Sequence, residues 1–131
     1  MKLIIAGTRT LNVRMTLLNS LICTYELDTQ ITEIVSGGAQ GVDKAGELLH
    51  KEWSDLCGPD AVKLTKFPAD WEKHGKSAGH IRNALMANYA DALLLIWDGK
   101  PGKSPGSSNM RHRMLALKKP VYEVILRSYY A

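Results

Sequence analysis

Six consecutive apolar residues, Ala92-Leu93-Leu94-Leu95-Ile96-Trp97, set the tightest limit on how this chain can fold. A run without polar alternation suits a strand covered on both faces, the situation of a central strand in a parallel sheet flanked by helices. Short runs at 2–6 and 31–35 read as further strands, 61–67 as a more polar strand near an edge, and 120–126 as the last. Between them, apolar residues recur at helical spacing. The first set is Leu17, Leu18, Leu21, Ile22 and Tyr25, and the second is Val42, Ala45, Gly46, Leu49 and Trp53. A third helix is predicted over 78–89 with Ile81, Ala84, Leu85 and Tyr89 inward, and a fourth over 109–117. A polar loop over 68–77 and a Gly/Pro/Ser loop over 98–108 complete the pattern. Five strands alternating with four helices predict an α/β fold, a Rossmann-like three-layer sandwich on a five-stranded, mostly parallel sheet of order 3-2-1-4-5. The 131 residues suit one domain spanning 1–131, with no internal repeat.

In such a sheet, ligands sit beyond the carboxyl ends of the strands, at the topological switch point. Three glycine-containing loops fall at that edge, and the predicted order makes their strands neighbours. In Gly7-Thr8-Arg9, the glycine permits a sharp turn, the threonine offers a hydroxyl, and the arginine offers a fork of donors suited to phosphate. In Ser36-Gly37-Gly38-Ala39-Gln40-Gly41-Val42-Asp43, a glycine-rich turn opens a helix, a geometry that presents backbone N–H groups to an anion. Asp43 in the first helical turn either complements the helix dipole or accepts a hydrogen bond from a ribose hydroxyl. The third loop, Asp98-Gly99 through Gly106-Ser107-Ser108, brings a second helix N-terminus and two hydroxyls. Arg82 and Asn83, at the start of the third helix, are placed to reach a phosphate and a base or ribose.

Other chemistry finds less support. The glycine-rich segment is not G-x-G-x-x-G, and no P-loop Lys-Ser/Thr follows it, which counts against dinucleotide oxidoreductases and NTPases. No nucleophile–base pair stands out. His74 and His80 lack partners at metal spacing, so no metal or other cofactor is expected. Trp71 and Trp97 read as packing residues with the capacity to stack on a base. The net charge of +4 is modest, with part of it late in Arg111-His112-Arg113 and Lys118-Lys119. That cluster reads as a solvated helix face before a nucleic-acid footprint. Cys23, in a helical pattern, and Cys57, in a loop, have no metal or redox spacing and read as reduced thiols of a cytoplasmic protein. No signal peptide and no membrane-length apolar run is visible. The final Tyr129-Tyr130-Ala131 is expected either to be loose or to dock against a partner.

Six segments occurring in order carry a family resemblance. They are Gly7-Thr8-Arg9, Ser36-Gly37-Gly38-Ala39-x-Gly41-x-Asp43, Phe67-Pro68-Ala69-Asp70-Trp71, Ala78-Gly79-x-x-Arg82-Asn83-x-x-Met86, Ala90-Asp91-Ala92 and Trp97-Asp98-Gly99. Together they resemble the YspA-like branch of the SLOG superfamily, found in bacteria and phages. The resemblance implies a Rossmannoid domain that binds, and in some relatives processes, nucleotides or nucleotide-derived ligands. Relatives include the Lonely Guy phosphoribohydrolases and the DNA-processing protein DprA, and many of them self-associate, which implies a homo-oligomer.

Two departures bear on chemistry. The pattern Trp-Asp-Gly-x-Ser-x-Gly-Thr is here lengthened by three residues, and Ser107 replaces the threonine. The glutamate with which Lonely Guy enzymes help cleave an N-glycosidic bond aligns with Met110, which has no charge to stabilise an oxocarbenium ion. Cleavage would then need Asp43, Asp98 or Glu47 as a substitute. The leading expectation is a small domain that holds a nucleotide-type ligand for sensing, sequestering or processing. The alternatives are a nucleoside-phosphate N-glycosidase and a DprA-like DNA-associated protein.

Overall fold

A computed structural model describes residues 1–126. The strands are β1 (Lys2–Gly7), β2 (Glu33–Ser36), β3 (Lys63–Lys66), β4 (Ala92–Trp97) and β5 (Val121–Ile125). Their order across the sheet is β3-β2-β1-β4-β5, with every pairing parallel, as the sequence pattern predicts. The helices are α1 (Met15–Thr24), α2 (Val42–Cys57), α3 (Trp71–His74), α4 (Ala78–Tyr89) and α5 (Pro105–Ala116).

Alternation of side chains across the strands builds the two halves of the core. Leu3, Ile5, Ile34, Leu94 and Ile96 face α1 and α2, packing on Leu18, Ile22, Val42, Ala45 and Leu49. Ile4, Val35, Leu93, Leu95 and Trp97 face α4 and α5, packing on Met86, Ala87, Met110 and Met114. All six residues of β4 are buried, as two covered faces require. β3 is an edge strand whose Lys63 and Lys66 are exposed, charges that discourage further strand pairing.

Four expectations are corrected. First, α4 does not turn Ile81 and Leu85 inward; they are 39% and 55% exposed. Its buried residues are Ala78, Asn83, Met86 and Ala87. Small side chains let α4 settle against the sheet, Met86 fills the remaining space, and Asn83 is accepted inside because α5 satisfies its amide. Second, α5 begins at Pro105 rather than Asn109. A proline is well suited to the first helical position, where its missing N–H costs nothing. Ser107 and Ser108 therefore lie in the first turn of a helix. Third, the segment 68–77 is not only loop. The Asp70 carboxylate accepts the Lys73 N–H at 3.1 Å and caps the single turn of α3, and a 3-10 turn over Gly75–Ser77 follows. Fourth, Cys57 ends α2 instead of lying in a loop; both cysteines are exposed and unpaired.

The late basic cluster has structural work. Lys119 Nζ donates to the carbonyls of Ala87, Asn88 and Ala90 at 2.7, 3.2 and 2.7 Å, placing an ammonium on the C-terminus of α4. Arg111 Nε lies 3.2 Å from a Glu123 carboxylate oxygen on β5. No helix among the described residues is long and apolar enough to cross a membrane. Tyr129, Tyr130 and Ala131, expected to be loose or docked, lie outside the described residues.

Candidate functional site

Because β2, β1 and β4 are adjacent, the loops that follow them share one edge of the sheet. The loops are fitted together closely. A Cβ on Gly7 would lie 1.7 Å from the Ile96 carbonyl oxygen, so only glycine lets β1 leave the sheet there. Gly41, at φ +75°, brings the second loop against the first; a Cβ on it would lie 2.5 Å from the carbonyl oxygens of Thr8 and Arg9. The buried Thr8 hydroxyl accepts the Asp98 N–H at 3.1 Å and shares a hydrogen bond of 3.0 Å with the Ser104 hydroxyl. It thereby ties both ends of the third loop to β1.

Two adjoining clefts open on this edge. The inner one, of about 550 Å³, lies among Gly7, Thr8, Arg9, Ala39, Asp43, Arg82, Asn83, Asp98, Gly106 and Ser107, all expected from sequence. Lys103, Ser104 and Met86 also line it as additions, as does Met110, the residue that aligns with the Lonely Guy glutamate. The outer one, of about 610 Å³, includes Gly37 and Gly38 from the expected set, with Lys66 as an addition and Trp71, which reads from sequence as a packing residue with the capacity to stack on a base. Arg9, Ala39 and Arg82 belong to both. Ser36, Gly41, Glu47, Gly99 and Ser108 line neither cleft.

The inner cleft mixes one buried acid with several cations. Asp43 is 5% exposed. Its Oδ2 accepts the Ala39 N–H at 3.3 Å. Burial pushes its carboxyl up to about 6, against the pull of the Ala39 N–H, the Arg82 charge and the Gly7 N–H. Arg82 donates through Nη1 to the Gly37 carbonyl and through Nε to Asn83 Oδ1, the latter at 3.0 Å. Burial pulls the guanidinium below its ordinary value, Asp43 opposes this, and nearby Arg9 adds to it. Arg9 is exposed and has no carboxylate partner among the described residues.

Several expected donors are already engaged. Asn83 Nδ2 donates to the Gly106 carbonyl and to Asn109 Oδ1, both at 3.1 Å, so its amide fastens α4 to α5. The Gly38 N–H bonds the Ser36 hydroxyl at 3.1 Å, and the Ala39 N–H bonds Asp43. Two amides of the glycine-rich segment are thus turned to the protein's own groups. The Ser36 hydroxyl in turn donates to Glu47 at 2.7 Å. Burial raises the Glu47 carboxyl, but the Ser36 hydroxyl, Lys66 and Lys44 together bring it below its ordinary value. The open amides lie instead at the start of α5. The Ser108 N–H bonds the Ser104 carbonyl at 3.1 Å, and helix geometry leaves the N–H groups of Gly106 and Ser107 without an intrahelical acceptor.

Trp97 is a packing residue whose Nε1 donates to Glu123 at 2.7 Å. Trp71, by contrast, is 51% exposed. The only sequence signals for Lys66 and Lys103 are their positions, Lys66 at the carboxyl end of β3 and Lys103 in the loop that follows β4. Among the described residues, no group of three or more His, Cys, Asp and Glu is placed to hold a metal ion.

The described chain is a Rossmann-like α/β protein with a cationic cleft at the carboxyl edge of a parallel sheet. No protein-family model, curated protein or solved structure matches it at a significant level.

Proposed function

We propose that the inner cleft binds a nucleotide or nucleotide-derived ligand. What supports this most is the convergence of Arg9, Arg82 and Lys103 with the open N-terminus of α5 on one cleft of about 550 Å³. Helix N-terminal amides and convergent cations are the usual means of holding phosphate. The phosphate sits against Gly106 and Ser107, with Arg9 and Lys103 as mobile counter-charges and Arg82 as the fixed one. The phosphate cradle expected from Gly37, Gly38 and Gly41 moves to α5 in this reading, since the Gly38 and Ala39 amides are engaged internally.

Thermal shift and calorimetry with a panel of nucleoside phosphates test the proposal. Arg9→Ala should weaken binding by about ten-fold, the scale of one charge-assisted contact, with melting unchanged. A folded protein that responds to no member of the panel would refute it.

One observation favours a second reading as an N-glycosidase: Asp43 is a buried cleft carboxylate with a carboxyl pushed up to about 6, a common property of acid–base groups. Against it, Met110 lines the cleft where the related hydrolases carry glutamate. Release of free base from nucleoside monophosphates, lost in Asp43→Asn, decides between cutting and holding. A DNA-associated role has less support, because Lys119 is committed to α4 and Arg111 to Glu123. A cytosolic location fits two exposed, unpaired thiols. Self-association rests on the family resemblance alone.

A further inference from the structure

The inner cleft does not end at the two arginines. Arg9, Ala39 and Arg82 form a shared wall, and beyond it lies the outer cleft of about 610 Å³. Either volume alone falls within the roughly 300–1,000 Å³ that encloses a drug-sized ligand. A single phosphate on α5 would occupy one end of this double site and leave the arginine wall and the outer cleft unused.

The far side of the outer cleft carries Trp71 and Lys66. Trp71 is half exposed and belongs to neither half of the core. Its ring nevertheless has a defined seat. The capped turn of α3 holds its backbone, and the ring lies over Gly79, where an added Cβ would stand 3.5 Å from Trp71 Cη2 and 4.0 Å from Arg82 Nη2. The aromatic ring and the guanidinium are therefore neighbours, the ring half exposed on the outer cleft and the guanidinium lining both clefts. Large exposed aromatics beside cations are the usual means of holding a base together with its phosphates.

We propose that the outer cleft is a base-binding subsite, and that the ligand is a nucleoside carrying a chain of two or more phosphates. The base stacks on Trp71, the phosphate chain crosses between Arg9 and Arg82, and its terminal phosphate reaches the N-terminus of α5 beside Lys103. This deepens the nucleotide reading and rests on it. Stacking accepts any base, so the subsite selects for the length of the phosphate chain more than for base identity.

The test is calorimetry on the full chain with AMP, ADP, GDP and inorganic pyrophosphate, using the wild type, Trp71→Ala and Trp71→Phe. ADP and GDP should bind about ten-fold or more tightly than AMP. Trp71→Ala should weaken both diphosphates by about ten-fold, the loss of one base–aromatic stack, and Trp71→Phe should restore most of it. Pyrophosphate, which has no base, should bind all three proteins equally; this readout separates lost stacking from a disturbed cleft. Diphosphates that bind no better than AMP, or that are indifferent to Trp71→Ala, overturn the base subsite while leaving a phosphate-binding inner cleft standing. If none of the four ligands binds the folded wild type, the nucleotide reading falls and takes the subsite with it.

Discussion

Asp43→Asn should change how the stability of this protein depends on pH. Burial pushes the Asp43 carboxyl from 3.8 to about 6 in the folded chain. The unfolded chain keeps the ordinary value, so between these two pH values the folded state holds a proton that the unfolded state has released. Stability falls with rising pH wherever the folded state binds more protons. The contribution of Asp43 is therefore greatest below its unfolded value and is lost as pH rises through the window, levelling off above about 7. A shift of this size corresponds to on the order of 3 kcal/mol, at about 1.4 kcal/mol per pH unit. Asparagine has no such proton to lose. Urea unfolding of both proteins across about pH 3.5 to 8 gives the difference in stability directly. It should move by on the order of 3 kcal/mol in favour of Asp43→Asn as pH rises, and then stay flat. Glu33, whose carboxyl lies below its ordinary value, changes stability in the opposite sense but is present in both proteins and cancels, whereas the Glu47 charge helps to raise the Asp43 carboxyl, so its repulsion is part of the measured difference. A difference that is constant over the window, or that moves the other way, would refute the reading of Asp43 as a carboxylate held ionised at a cost.

Gly41→Ala should destabilise the fold by at least about 2 kcal/mol in urea, because it combines strain at φ +75° with a clash against two backbone carbonyls. Gly106→Ala, at a position with open space where the Cβ would go, should stay within about 0.5 kcal/mol of the wild type in the same assay. Lys119→Met should cost roughly 1–2 kcal/mol of stability by removing the ammonium from the end of α4, with nucleotide affinity unchanged by calorimetry.

The architecture was legible because Ala92 to Trp97 and the runs around Ile4 and Ile34 carry burial on both faces, which few folds other than a helix-covered parallel sheet supply. The inward face of α4 was not legible. Counting large apolar residues favours Ile81 and Leu85, whereas the packed face uses alanines and an asparagine whose acceptability depends on Gly106 and Asn109, residues distant in sequence. The same limit applies to the site. Glycine-rich loops at the ends of neighbouring strands announced where the cleft lies. Nothing local told that Ser36 would turn to Glu47, or that the Ala39 amide would meet Asp43. Those partners are set by the folded loop and have no periodicity to reveal them. Lys103 and Trp71 reach the clefts only because α5 starts early and a capped turn forms at Asp70.

The Thr8 hydroxyl bonds the Asp98 amide at one end of the third loop and the Ser104 hydroxyl at the other. The residues between them are consequently a closed ring hung from a fixed point just past the end of β1. Insertions or deletions there would reshape the mouth of the cleft while the first turn of α5 kept its distance from the sheet. Loop length can therefore change the shape of the cleft mouth independently of where the first turn of α5 stands.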